Sequence, residues 1–232
     1  MNTDLTIRRA QLYRFLADAF LYPTENWLED LPALHPILID LGFNGLQPLP
    51  YNLQLKALQT EHLRTFGVTG SQCYETEYGL PNEFRQSQEM ADIAGFYRAF
   101  GFNVGGQYRE RPDHLATELE FLYVLAIKEA YAAGQGIDEH VEVTVEARRL
   151  FLRDHLGRWI GLFAESLRRA ASGDTVQQNG EGPYVWLARL AASFVRAEAQ
   201  ALGLSLEEPR LPDVQHTPLG PEISCEACPV NI

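Results

Sequence analysis

Twelve residues, Glu110 to Phe121 (ERPDHLATELEF), constrain the fold more than any others, because they hold a loop, a helix start and the opening of a helix with almost no polar face. Pro112 suits the first turn of a helix, where its missing N–H is no loss, and Asp113 there favours the positive end of the helix dipole. Leu115, Leu119, Leu122 and Ala126 then recur at helical spacing, and Phe121, Leu125 and Ile127 widen the apolar face until little polar surface is left. Such a helix has to lie at the centre of the fold. Asp113 and His114 are then expected at its exposed mouth, presented to whatever binds there.

The rest of the chain bounds what this helix can belong to. At 232 residues, 46% hydrophobic and 22% charged, the chain suits one soluble core. It has no apolar run approaching the about eighteen residues of a membrane span. Arg8 and Arg9 are followed by an amphipathic stretch rather than by an apolar segment and cleavage site, so the expectation is a cytoplasmic protein that is neither exported nor membrane-spanning. A net charge of −12 argues against nucleic acid and for a cationic partner. Lys56 and Lys128 do not follow glycine-rich loops, which leaves no Walker-type phosphate site. Cys73, Cys225 and Cys228 are too few for a disulfide framework and fit a reducing compartment.

Periodicity predicts helices throughout, and the fold class expected is all-α, a single-domain helical bundle over residues 1–204 with a proline-rich tail over 205–232. The first helix covers about 5–21 and is closed by Tyr22-Pro23; prolines and glycines cut 27–50 into short helical turns; a further helix ends at Phe66 with Gly67 as its cap. Residues 67–86 lack sustained period and read as a long ordered loop, after which Ser87 caps a helix carrying Met90, Ile93, Tyr97 and Phe100 up to Gly101. From Asp138 to about Ala171 the apolar face shifts across Asp154-His155, which predicts a break or kink there. Tyr184 to Leu202 forms the last helix, ended by Gly203.

Several constellations carry candidate chemistry. Asp113, His114, Glu118 and Glu120 are dense enough for a metal site, yet no Glu-x-x-His occurs, and His114 with Glu118 four residues on also describes a helix-surface ion pair. Cys225-x-x-Cys228 is half of a zinc site that His216 or Cys73 could complete if the tail folds back, and it could equally be a redox dithiol. No Gly-x-Ser-x-Gly, His-Glu-x-x-His or Cys–His frame for a nucleophile is present, so no catalytic residue and no cofactor is expected. Tyr74, Glu77 and Tyr78 set rings beside carboxylates in the 67–86 loop, as a groove for an arginine-bearing apolar peptide would.

Two segments also carry a resemblance. Gln88 to Gly101 (QEMADIAGFYRAFG) and Glu110 to Ala126 (ERPDHLATELEFLYVLA) resemble the TorD/DmsD/NarJ-type maturation chaperones, most of all the branch serving type II enzymes of the dimethyl sulfoxide reductase family. The family's loop motif is matched at Pro112, Asp113, His114, Leu115, Glu118 and Leu119, and 151–159 is similar to its later helix. The resemblance implies an all-helical cytoplasmic chaperone without catalysis, whose partner is the catalytic subunit of a molybdenum oxidoreductase with any twin-arginine leader, and which holds that subunit until cofactor insertion. It assigns peptide recognition to Asp113 and His114 with Glu118 behind them, flanked by Arg111 and Pro112, while Tyr74, Glu77 and Tyr78 come from the loop's own chemistry. Alanine at Asp113 or His114 is then expected to weaken leader binding with the helical content intact. A small metal-binding helical protein using Asp113, His114 and Glu118, or the Cys225/Cys228 tail, is the competing expectation; monomer and homodimer both fit.

Overall fold

The computed structural model describes residues 3–43, 53–67, 73–78, 83–105, 110–173 and 182–206. Eight α-helices are present among them: α1 (Thr3–Phe20), α2 (Leu31–Asp40), α3 (Leu55–Phe66), α4 (Glu83–Ala99), α5 (Leu115–Gln135), α6 (Asp138–Asp154), α7 (Leu156–Gly173) and α8 (Pro183–Ala201), with 3-10 turns at Trp27–Asp30 and Glu75–Tyr78. The all-α expectation holds; pairing between extended segments among the described residues is an isolated antiparallel bridge, Tyr74 to His114.

The centre is α5. Its long apolar sequence packs against α1 and α6, while α7 packs on α8 and α6, and α8 in turn on α1 and α6. Leu115, Leu119, Phe121, Leu122, Leu125 and Ala126 have no or almost no exposed surface. α1 supplies Ala10, Tyr13, Leu16, Ala17 and Phe20 to the same core, and α8 supplies Trp186, Leu187, Leu190, Phe194 and Val195. α5 is stopped by Gly136, whose φ of 70° is the left-handed conformation that glycine adopts without a Cβ penalty.

The expected break at Asp154-His155 is a sharp corner between α6 and α7, with His155 in a non-helical conformation. Gly157 is required there, since a Cβ on it would collide with the Leu152 carbonyl. Some boundaries differ from the sequence expectation. α4 starts at Glu83, inside the stretch read as loop, and 27–40 forms a 3-10 turn and a ten-residue helix that tolerates Pro36. Gly67 caps α3 through its N–H to the Leu63 carbonyl but in an extended, not left-handed, conformation. Leu204 and Leu206 still pack on the core beyond α8.

Four helices are also joined by charge. Arg148 of α6, with a side chain 3% exposed, lies 2.6 Å from Glu129 of α5 and 3.6 Å from Glu198 of α8, and Arg9 of α1 meets Glu198 at 2.8 Å. Thr6 donates to Glu129 and Tyr13 to Glu198, both at 3.4 Å. Two guanidiniums and two carboxylates balance, which is the condition for burying them at tolerable cost. Burial nonetheless pushes the Glu198 pKa upward against the pull of Arg148 and Arg9.

Candidate functional site

The segment from Cys73 to Tyr78 lies against the turn that leads into α5. Glu75 N–H donates to the Asp113 carbonyl at 2.9 Å and Leu115 N–H to the Cys73 carbonyl at 2.8 Å, so two segments distant in sequence are stitched together by backbone. The Tyr74-bearing segment of the 67–86 stretch thus lies beside the Asp113–His114 turn. α4 buttresses the turn from the other side, where the Tyr97 hydroxyl donates to the Pro112 carbonyl at 2.7 Å.

Where the structure departs from expectation is in exposure. Asp113 and Glu118 are 0% exposed and His114 is 7%, so none of the three stands at an open mouth. The helix begins at Leu115, three residues later than Pro112 suggests, and its N-cap is the imidazole of His114, whose Nδ1 accepts the Ala116 N–H at 3.1 Å. That bond needs a neutral ring, and burial, helped by the nearby Arg111 charge, lowers the His114 pKa to about 4. His114 and Glu118 consequently form no ion pair.

Asp113 is held by a clamp. Arg111 reaches over it with Nε to Oδ1 at 2.9 Å and Nη2 to Oδ2 at 2.8 Å, and Thr76 Oγ1 donates to Oδ2 at 2.8 Å. The same guanidinium lies 4.5 Å from the centre of the Tyr74 ring, which in turn meets the His114 ring edge-on at 5.2 Å. Asp113 is thus the buried end of a bidentate pair whose other partner, Arg111, is 44% exposed.

Behind the clamp lies a second buried group. Glu118 Oε2 accepts the Trp159 indole N–H at 3.2 Å, while Glu118 Oε1 is buried without a hydrogen-bond partner. Glu75 Oε2 lies 3.3 Å from His155 Nδ1 at the α6–α7 corner. Complete burial, reinforced by the Glu75 charge, drives the Glu118 pKa well above its ordinary 4.5. Tyr78 stacks on Trp159 at 5.3 Å and its hydroxyl lies 3.4 Å from Ser166 Oγ, so α7 is tied to the same hub.

A carboxyl whose folded pKa exceeds its unfolded value contributes stability that is complete below about pH 4.5 and is lost as pH rises through the folded value. Glu118→Gln keeps an acceptor for Trp159 and has no carboxyl to ionise. Its urea midpoint should hold as pH is raised from about 5 to 8 while that of the wild type declines relative to it; parallel curves would mean that Glu118 is ionised in place.

The expected residues thus divide into a buried framework of Asp113, His114 and Glu118 and a solvent-facing rim. Arg111 and Glu77 are exposed, and Pro112, Tyr74 and Tyr78 are half-buried. Sequence reasoning did not assign Thr76, Tyr97, His155 or Trp159 to the site: Thr76 stands in a loop without period, while Tyr97 and the His155–Trp159 pair stand in segments read only as helices. The metal-site expectation at Asp113, His114 and Glu118 gains no support, because Asp113 is held by Arg111 and Thr76, His114 Nδ1 by the Ala116 N–H and Glu118 Oε2 by Trp159. Among the described residues no group of three or more His, Cys, Asp or Glu is placed to hold a metal ion. Cys73 is buried, which pushes its thiol pKa up and makes it a poor ligand. Cys225, Cys228 and His216 lie outside the described residues. No helix among the described residues is long and apolar enough to cross a membrane.

Comparison with known proteins bears on the whole chain. Residues 38–165 match the family described as "Nitrate reductase delta subunit", a span covering α3 to α6 and the hub. The chlorate reductase assembly chaperone protein of Ideonella dechloratans is 32% identical over 185 residues, 78% of this chain and 87% of that protein. The selenate reductase assembly chaperone protein of Thauera selenatis is 32% identical over 50% of this chain and 61% of its own length, and the chaperone protein TorD of Vibrio cholerae is 31% identical over 57% and 54%. A solved structure described as a putative redox enzyme maturation protein from Archaeoglobus fulgidus aligns over 84% of this chain and 93% of its own with 20% identity and a TM-score of 0.41. The family match over residues 38–165 and the likeness to the chlorate reductase assembly chaperone protein make this chain a member of the nitrate reductase delta subunit family of TorD/NarJ-type chaperones.

Proposed function

We infer that this protein is a cytoplasmic assembly chaperone that holds the catalytic subunit of a molybdenum oxidoreductase, with its twin-arginine leader where it has one, until the cofactor is inserted and the subunit has folded. It performs no catalysis itself. The observation that carries this reading is the similarity to a chlorate reductase assembly chaperone across most of both chains. The geometry supports it in a particular way. The buried framework of Asp113, His114 and Glu118 holds the 73–78 segment and the 110–114 turn in one fixed relation, so that Arg111, Pro112, Tyr74, Glu77 and Tyr78 form a rigid polar and aromatic rim. A preorganised rim loses little entropy when a peptide docks on it. Asp113 and His114 then act on the peptide through the rim they position.

Tagged full-length protein isolated from its own cells should bring down a catalytic subunit lacking its molybdenum cofactor, identified by mass spectrometry and metal analysis of the captured material. Glu77→Lys, which reverses an exposed rim charge, should reduce the amount captured about fivefold or more if the docking segment is basic. Recovery of no such subunit with the wild type would overturn the reading.

A further inference from the structure

α4 touches the turn before α5 at two points. One is the bond from the Tyr97 hydroxyl to the Pro112 carbonyl at 2.7 Å. The other lies two turns earlier on the same face of the helix, where Met90 Sδ is 3.8 Å from Arg111 Nη2. Met90 is half-buried, and apart from Met1 the chain has no other methionine.

The guanidinium that Met90 meets is the one that closes the Asp113 clamp. Nη2 has two hydrogens and three acceptors around it: Asp113 Oδ2 at 2.8 Å, Thr76 Oγ1 at 2.9 Å and the Met90 sulfur. A thioether is a weak acceptor, so the two oxygens take both hydrogens and the sulfur remains a soft contact. This contact is exposed, unlike the Asp113 end of the clamp. The other sulfur among the described residues, on Cys73, is 5% exposed, and burial pushes its thiol pKa up, which leaves little reactive thiolate.

We propose that Met90 is a reversible oxidation site through which a peroxide resets the Arg111 clamp. A sulfur lone pair attacks one peroxide oxygen; the S–O bond forms as the O–O bond breaks, and the proton of the transferred oxygen passes to the departing hydroxide. The thioether is oxidised by two electrons to the sulfoxide, and the peroxide is reduced by two electrons to water. The sulfoxide oxygen is a far stronger acceptor, carried on the same sulfur beside a guanidinium whose Nη2 hydrogens are already assigned. It competes with the neutral Thr76 hydroxyl rather than with the Asp113 carboxylate, because the charged bidentate pair is the stronger of the two. Thr76 then keeps its bond to Asp113 and loses the one from Arg111, which loosens the 73–78 segment against the turn. Reductases return methionine sulfoxide to the thioether, so the change can be undone.

The test treats full-length protein with hydrogen peroxide and then with dithiothreitol, which reverses cysteine disulfides and sulfenic acids but not the sulfoxide. Met90→Leu, a volume-conserving change that keeps Met1 and every cysteine, is treated alongside. Peptide mass spectrometry should find one added oxygen on Met90. Hydrogen exchange at the Glu75 amide should rise about fivefold in the oxidised wild type, return to its starting rate after methionine sulfoxide reductase, and stay constant in Met90→Leu. Met90 left unmodified by a dose that fully oxidises a free methionine peptide would overturn the proposal. So would an oxidised Met90 with unaltered exchange, or an equal rise in Met90→Leu. Capture of the catalytic subunit should fall in step with the rise in exchange, a consequence that rests on the chaperone reading; untreated protein that captures no subunit removes that reading and leaves the exchange result to decide the site.

Discussion

Arg148→Met is expected to be among the most destabilising single changes in this protein, costing about 3–5 kcal/mol. Methionine fills much of the same space, so the loss comes from electrostatics rather than from a cavity. Glu129 and Glu198, 2% and 4% exposed, would be left buried with Arg9 alone to offset them, and Arg9 reaches only Glu198. For a chain of this size the thermal midpoint should fall by roughly 10 °C. Adding Glu129→Gln to Arg148→Met removes the orphaned charge and should recover a substantial part of that loss, so the double variant is more stable than the single one. Equal stability of wild type and Arg148→Met would mean that the network is hydrated and contributes nothing. Because the cluster ties α1, α5, α6 and α8 far from the rim, subunit capture by a properly folded Arg148→Met fraction should be unchanged.

Asp113→Ala should cost about 2–4 kcal/mol and loosen the site itself. The change strips two hydrogen bonds from Arg111 and one from Thr76, yet Arg111 is exposed enough to be resolvated, which keeps the cost below that of Arg148→Met. The sharper readout is local. Hydrogen exchange at the Glu75 and Leu115 amides, whose bonds stitch the 73–78 segment to the turn before α5, should rise well above the global effect. Asp113→Asn, which retains an acceptor for Thr76 and one for Arg111, should fall between wild type and alanine in both measurements. Alanine here should leave the helical content intact, since the affected residues are outside the long helices. The idea that Asp113 touches the peptide directly does not fit a side chain with no exposed surface. Protection at Glu75 and Leu115 equal to wild type would show that the backbone stitch needs no clamp.

How legible the protein is in its sequence varies with the range of the interaction. The helices could be read because each is a local pattern: the apolar spacing of α5, the face shift that becomes the His155 corner, the glycines at 101, 136 and 203 with positive φ. The importance of the Pro112–Leu119 stretch could be read too, because a proline turn feeding an almost wholly apolar helix is unusual on any terms. Its geometry could not. Asp113 and His114 look like groups offered to solvent as long as the partner segment is unknown, and that partner, Tyr74 to Thr76, lies 37 residues away from them at the Thr76–Asp113 bond in a stretch with no period of its own.

The charged residues show the same division most plainly. Arg9, Glu129, Arg148 and Glu198 each stand in an amphipathic helix where a solvated position is the natural assignment, and nothing local marks them as a set. Only the packing of four helices brings them within salt-bridge distance and removes the water, which converts ordinary surface charges into a buried lattice. The same holds for Glu118, whose raised pKa is a consequence of complete burial beside Glu75. Sequence by itself determined the all-helical class, the central helix and the segment around which the site forms, because helix formation and amphipathicity are set by neighbours three and four residues apart. Tertiary structure alone decided which polar side chains face solvent and which hold the framework, because burial and charge pairing depend on partners that the chain brings together only by folding.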